Sequence, residues 1–166
     1  MTRIECGERL CYFLVPGTPV PQPRVNRFGK VPARHPIHRW REKVEWVARQ
    51  AWAGRPPIDF PVVLEIGFRF PRPTFSTWKK KHAGVHQHVT RPDLSNLLKG
   101  LEDALNGVLW RDDSLVVKEI LEKWIGGYNA AAGTRIAAYR AEMRETDDKE
   151  QENSRCDPPL GADDRW

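Results

Sequence analysis

Apolar residues recur along this chain with two different periods. From Phe60 to Phe70 they alternate: Val62, Leu64, Ile66, Phe68 and Phe70 point one way, and Val63, Glu65, Gly67 and Arg69 the other. A period of two is a strand, here with one fully apolar face. Pro71 and Pro73 stop it. Leu10–Val15 is a continuous apolar run and reads as a buried strand. Ser114–Ile125 and Gly133–Glu142 read as two more strands, with a turn region beginning at Gly126-Gly127. Two segments have helical spacing instead. In Ile37–Trp52 the residues Trp40, Val44, Val47 and Ala51 recur every three or four positions, and Gly54 with Pro56-Pro57 ends the pattern. In Asp93–Val108 the residues Leu97, Leu98, Leu101, Ala104, Leu105 and Val108 fill a stripe roughly 120° wide. Asp93 sits where an N-cap belongs, and Asn106-Gly107 ends the helix.

The remaining segments resist regular structure. Pro16–Pro36 contains six prolines and two glycines and is expected to be a long loop. Arg72–Arg91 is a second polar loop, carrying Lys79-Lys80-Lys81, His82, His86 and His88. His86-x-His88 could hold a metal from one side of an extended segment. No third ligand has a matching spacing, so a basic loop is the preferred reading. Residues 146–166 are acidic and polar and are expected to form a disordered tail after a single domain spanning 1–145.

Charge sharpens this division. The chain has 166 residues and a net charge of +5. The tail holds seven acids and three bases. That leaves 24 of the 27 bases and 15 of the 22 acids on residues 1–145, a net of +9. A basic body suits a polyanion partner such as nucleic acid. No apolar run is long enough for a membrane span, and the first residues carry no apolar signal region, so a cytoplasmic protein is expected. The three cysteines, Cys6, Cys11 and Cys156, match no strong zinc spacing and read as reduced thiols.

The candidate chemistry lies between Arg91 and Lys123. On a helical wheel with Asp93 at zero, Asn96, Asp103 and Lys99 fall near −60°, −80° and −120°, opposite the apolar stripe. The Asn106-Gly107 turn then leads through Trp110-Arg111-Asp112-Asp113 into the next strand. The chain therefore reverses and can bring Asp112 and Asp113 back beside the helix. Clustered carboxylates repel one another unless a cation sits among them, and Mg²⁺ prefers such hard oxygens. A site of this kind can hydrolyse a phosphodiester, with Lys99 offsetting phosphate charge. Capping by Asp93 and a surface ion pair of Lys99 with Asp103 explain the same residues equally well.

The pattern Pro92-Asp93-x-x-Asn96-Leu97-x-Lys99, Asp103-Ala104-Leu105-Asn106-Gly107 and Trp110-x-Asp112-Asp113-x-x-Val116 resembles the RusA family of Holliday junction resolvases. A looser likeness covers Pro16-Gly17-x-Pro19-Val20-Pro21-x-Pro23-Arg24. The resemblance implies an α+β single domain, a mixed β-sheet packed with two main helices, and a homodimer. It also implies Mg²⁺-dependent, paired cleavage of branched DNA in recombination and repair; ligands of this kind accept Mn²⁺ as well, so the choice of ion stays open. The family's three aspartates and lysine fall on Asp93, Ser95, Lys99 and Asp113, with Asp103 and Asp112 as further acidic positions. Ser95 departs from the pattern, which has Asp-x-Asp here. A hydroxyl is a poor replacement for a carboxylate on Mg²⁺. Three readings follow: a metal held by Asp93, Asp103, Asp112 and Asp113 with Ser95 touching a water; a weakly bound metal and slow cutting; or branch binding without cutting.

Phosphate contacts are expected to dominate recognition of a branch, because shape is read rather than sequence. The candidates are Arg24, Arg27, Lys30 and Arg34 around the first loop, and Lys79, Lys80, Lys81 and Arg91 in the second. Other open readings are a different Mg²⁺-dependent phosphodiesterase acting on flaps or RNA, and an adaptor whose basic loops hold a protein.

Overall fold

The computed structural model describes residues 2–23, 31–73, 84–127 and 130–145. Arg24, Arg27, Lys30, Lys79, Lys80, Lys81 and the 146–166 tail lie outside the described residues. In chain order the elements are β1 (Thr2–Pro16), α1 (Pro36–Trp52), β2 (Val62–Phe70), β3 (His86–Gln87), α2 (Leu94–Leu105), a 3-10 turn (Asp113–Leu115), β4 (Val116–Ile125) and β5 (Gly133–Glu145). The strands form one mixed sheet in the order β1-β5-β2-β4-β3. β2 and β4 run parallel, and every other neighbouring pair is antiparallel. This is the expected α+β domain, a mixed sheet with two helices.

Both helices pack on one sheet face. Val15 and Phe13 of β1, Leu64, Ile66 and Phe68 of β2 and Ile136 and Ala138 of β5 share a buried core with Ile37, Trp40 and Val44 of α1 and Leu97, Leu101 and Leu105 of α2. α1 begins one residue earlier than its apolar period, because Pro36 occupies the first turn and the His35 ring accepts a hydrogen bond from the Ile37 amide at 3.1 Å. The two helices approach closely at Gly100. A Cβ there would lie 3.1 Å from Ile37 Cδ1 and 3.5 Å from both the Gln22 amide and Trp40. That proximity lets Gln22, in the first loop, donate its backbone N–H to the Asn96 carbonyl at 2.8 Å.

Further boundaries differ from the pattern-based expectation, among them β2, which starts at Val62, and β5, which runs on to Glu145. β1 extends back from Leu10 to Thr2, where the sequence is too polar to signal a buried strand; backbone pairing with the outer half of β5, Thr2 opposite Glu145, carries it. α2 stops at Leu105, because the Asn106 amide closes on the Glu102 carbonyl and Asn106 itself is extended. The strand expected from Ser114 starts at Val116, after the 3-10 turn.

The second face of β2 is also more buried than alternation suggests. Val63, Gly67 and Arg69 are all buried, although neither α1 nor α2 lies on this face. Long side chains from the neighbouring strands lie across them. The Arg135 guanidinium sits 5.5 Å from the centre of the Trp124 ring and reaches Glu65 and Glu122 at 3.5 Å each. Tyr139 donates its hydroxyl to Glu65 at 3.2 Å. Gly67 is what admits this layer, since a Cβ at that position would fall 2.4 Å from the Trp124 ring. Gly67→Ala is therefore expected to cost about 1–3 kcal/mol by overpacking. Thermal unfolding checks it, with a fall in Tm of several degrees expected for a chain of this size.

Candidate functional site

The polar stripe inferred for α2 faces outward in the structure. Asp93, Lys99 and Asp103 of the inferred face are exposed, as is Ser95, and Asn96 is half-buried, while Leu97, Gly100, Leu101, Ala104 and Leu105 are buried. Asp93 is the N-cap residue, but its side chain makes no capping hydrogen bond. Its carboxylate is thus not consumed by the helix that it starts. Asp93 and Asp103 are ten residues apart, so the helical rise separates them by ~15 Å. The stripe is a line of groups along the helix rather than a cage.

The reversal after α2 is built on Trp110, whose side chain is fully buried. The Gly107 amide donates to the Trp110 carbonyl at 2.8 Å, closing the turn. The extended residue Ile58 then clamps it from both sides, donating to the Leu109 carbonyl at 2.8 Å and accepting from the Arg111 amide at 2.9 Å. Asp112 and Asp113 follow directly. The Asp112 carboxylate caps the 3-10 turn, accepting from the Ser114 amide at 2.9 Å. Hydrogen bonds from the Ser114 hydroxyl and amide hold that carboxyl below the usual range.

Asp113 returns beside the C-terminal half of α2. There the structure adds two acids that the motif did not single out, Glu102 of α2 and Glu119 of β4. Burial pushes the Glu102 carboxyl up to about 7, helped by a hydrogen bond with Glu119 and by the charges of Glu119, Asp113 and Asp103. Glu119 was readable in principle. It pairs with Leu64 and alternates with Leu121, so it is a charged residue on the helix-facing side of β4.

Other candidates have partners of their own. Asp103 forms an ion pair with Arg41 of α1 rather than with Lys99, and the same guanidinium donates to the Gln22 side chain at 2.7 Å. This network ties the beginning of the first loop to both helices. Arg34 and Arg91 are exposed. The His88 ring lies against Phe70 with centroids 4.4 Å apart, so packing accounts for it. Among the described residues, no three His, Cys, Asp or Glu side chains approach closely enough to enclose a metal ion. The donor chemistry still suits Mg²⁺, which is commonly held by only one or two carboxylates together with water and substrate phosphate. No helix among the described residues is long and apolar enough to cross a membrane.

The raised Glu102 carboxyl has a consequence for stability. The unfolded chain releases this proton near the ordinary glutamate value of 4.5, whereas the folded chain keeps it until about 7. The contribution is complete below pH 4.5 and is lost as pH rises through 7. Partial exposure screens it to about 1 kcal/mol. In EDTA, Glu102→Gln should flatten the fall in stability between pH 4.5 and 7 and melt above the parent at pH 8. Equal slopes in urea titrations across that range would refute the assignment.

Comparison with known proteins follows the same region. The family model described as endodeoxyribonuclease RusA matches residues 16–139, most of the chain. The chain is also similar to a Bacillus subtilis (strain 168) protein described as uncharacterized protein YqaN. The two are 38% identical over 115 residues, covering 63% of this chain and 80% of that protein. The chain belongs to the endodeoxyribonuclease RusA family.

Proposed function

We propose that this member of the RusA family is a crossover-junction endodeoxyribonuclease that cuts four-way and related branched DNA by paired phosphodiester hydrolysis. The observation that carries the reading is the outward stripe of α2, led by an N-cap carboxylate that its own helix does not use. Asp93 and Asp113 are assigned as carboxylates for Mg²⁺, or Mn²⁺ in its place. Asp112 is a further donor, although it also caps the 3-10 turn. Asp103 is assigned a smaller part because Arg41 already neutralises it. A bound Mg²⁺ would supply charge stabilisation at the scissile phosphate and acidify a water.

The chain's own groups supply the rest. Lys99 lies two turns into α2, exposed, and offsets charge on the phosphate oxygens. Ser95, in the first turn, offers a hydroxyl that orients a metal-bound water instead of ligating the ion. Arg34 and Arg91 contact the phosphate backbone, and Arg24, Arg27, Lys30 and Lys79–Lys81 are assigned as further phosphate contacts from their charge alone. The bond from Gln22 to Asn96 supports this, because the first loop sets out toward Arg24 from beside the catalytic helix. A homodimer would present two such sites to a junction of approximate two-fold symmetry. The acidic segment 146–166 is assigned outside the nuclease domain, and a cytoplasmic setting in a bacterium or phage-infected cell fits the substrate.

A second reading has a specific observation behind it. Ser95 removes one carboxylate from the family pattern, which favours a branch-binding protein that cuts slowly or not at all. One experiment separates the two. A labelled four-way junction, a matched duplex and single-stranded DNA are incubated with the protein and Mg²⁺. Symmetric nicks confined to the junction are expected. They should fall at least 100-fold in Asp113→Asn, and Ser95→Asp should raise the rate several-fold. Tight junction binding without nicks in any metal would overturn the nuclease reading and leave the binding one.

A further inference from the structure

β4 carries a lysine where its register calls for an apolar residue. Lys123 pairs with Phe68, so it shares the helix-facing side of the sheet with Leu121 and Ile125. Its ammonium group does not reach out to water alone. Nζ donates to the Thr90 carbonyl at 2.8 Å and to the Pro92 carbonyl at 2.7 Å. These two carbonyls stand immediately before Asp93, in the segment that connects β3 to α2. Charge-assisted bonds of this length are about twice as strong as neutral ones. They leave little freedom in the backbone that delivers Asp93.

Within α2 the Asp93 carbonyl accepts from the Leu97 amide at 3.2 Å, but the Asp93 side chain makes no cap. The turn is held in addition from the sheet below by Lys123 and from the side by the Gln22–Asn96 backbone bond. We propose that Lys123 is a positioning residue for the active site. Its two hydrogen bonds fix the backbone ahead of Asp93 and so set where the Asp93 carboxylate meets the metal and phosphate. This inference rests on the nuclease reading, in that it takes Asp93 as a metal-binding group.

β4 provides its own control. Lys118 also spans to a backbone carbonyl, that of Ile4, at 2.9 Å. It pairs with Val63, on the other face of the sheet and away from α2. A lysine that only staples the fold should resemble Lys118 when replaced. A positioning lysine should not.

The test compares Lys123→Met and Lys118→Met with the parent protein. Mn²⁺ affinity is read by electron paramagnetic resonance, junction affinity by gel shift in EDTA, cleavage in Mg²⁺, and backbone amide exchange over residues 94–97. Lys123→Met is expected to weaken Mn²⁺ binding 10- to 100-fold, the range typical of lost outer-shell support. Junction affinity without metal should stay within twofold, kcat should fall with KM little changed, and exchange at 94–97 should accelerate. Lys118→Met should keep Mn²⁺ affinity within twofold even if it melts earlier. If Lys123→Met does not fold, Lys123→Gln, which keeps a donor for one carbonyl, should still lose at least threefold in Mn²⁺ affinity. Mn²⁺ affinity within twofold of the parent in a folded Lys123 variant, or equal losses in the Lys118 variant, overturns the positioning role alone. A parent protein that neither binds Mn²⁺ nor cuts the junction overturns the nuclease reading and this role with it.

Discussion

All nine residues of β2 pair with β4 in the same direction, so the chain must travel back along the sheet before β4 can begin. α2 makes that return. It buries an apolar stripe on the sheet and has only its opposite side left to show to solvent. The line Asp93–Ser95–Lys99–Asp103 is therefore displayed by the same requirement that closes the core. The direction of travel settles the rest. α2 runs opposite to β4, so its C-terminal half meets the start of that strand and its N-terminal end meets the strand's far end. Asp113 and Glu119 consequently gather near Glu102, and Lys123 arrives beneath Pro92.

β4 is the strand in which core and site overlap. On its helix-facing side Glu119 and Lys123 bracket Leu121, and each has a named partner: the Glu102 carboxyl by a hydrogen bond, and two backbone carbonyls. Unpaired charges in such positions would be costly. On the other side, among the described residues, Arg135, Trp124 and Tyr139 lie over β2.

Much of this was legible in the amino-acid pattern. Alternation located β2, helical spacing located α1 and α2, and the motif around Asp93, Lys99 and Asp113 pointed to the family. What escaped was set by long-range pairing. The outer half of β1 has no apolar signature because its hydrogen bonds go to β5, more than 130 residues later. The pairing of Asp103 with Arg41 depends on how α1 crosses α2, which the close contact at Gly100 permits and no local window reveals. Glu102 and Glu119 are seventeen residues apart in sequence and become neighbours only when the strand folds beneath the helix.

The unused cap at Asp93 also bears on how such a protein can change over generations. An aspartate in this position ordinarily turns back and contributes about 1 kcal/mol to its helix. Here the carboxylate makes no such bond, and the helix start is braced by the sheet and the first loop as well as by its own backbone. A residue or rotamer that restored the cap would make the helix sturdier but would tie up the group at this end that is now available to a ligand, so stability and availability pull in opposite directions at this position.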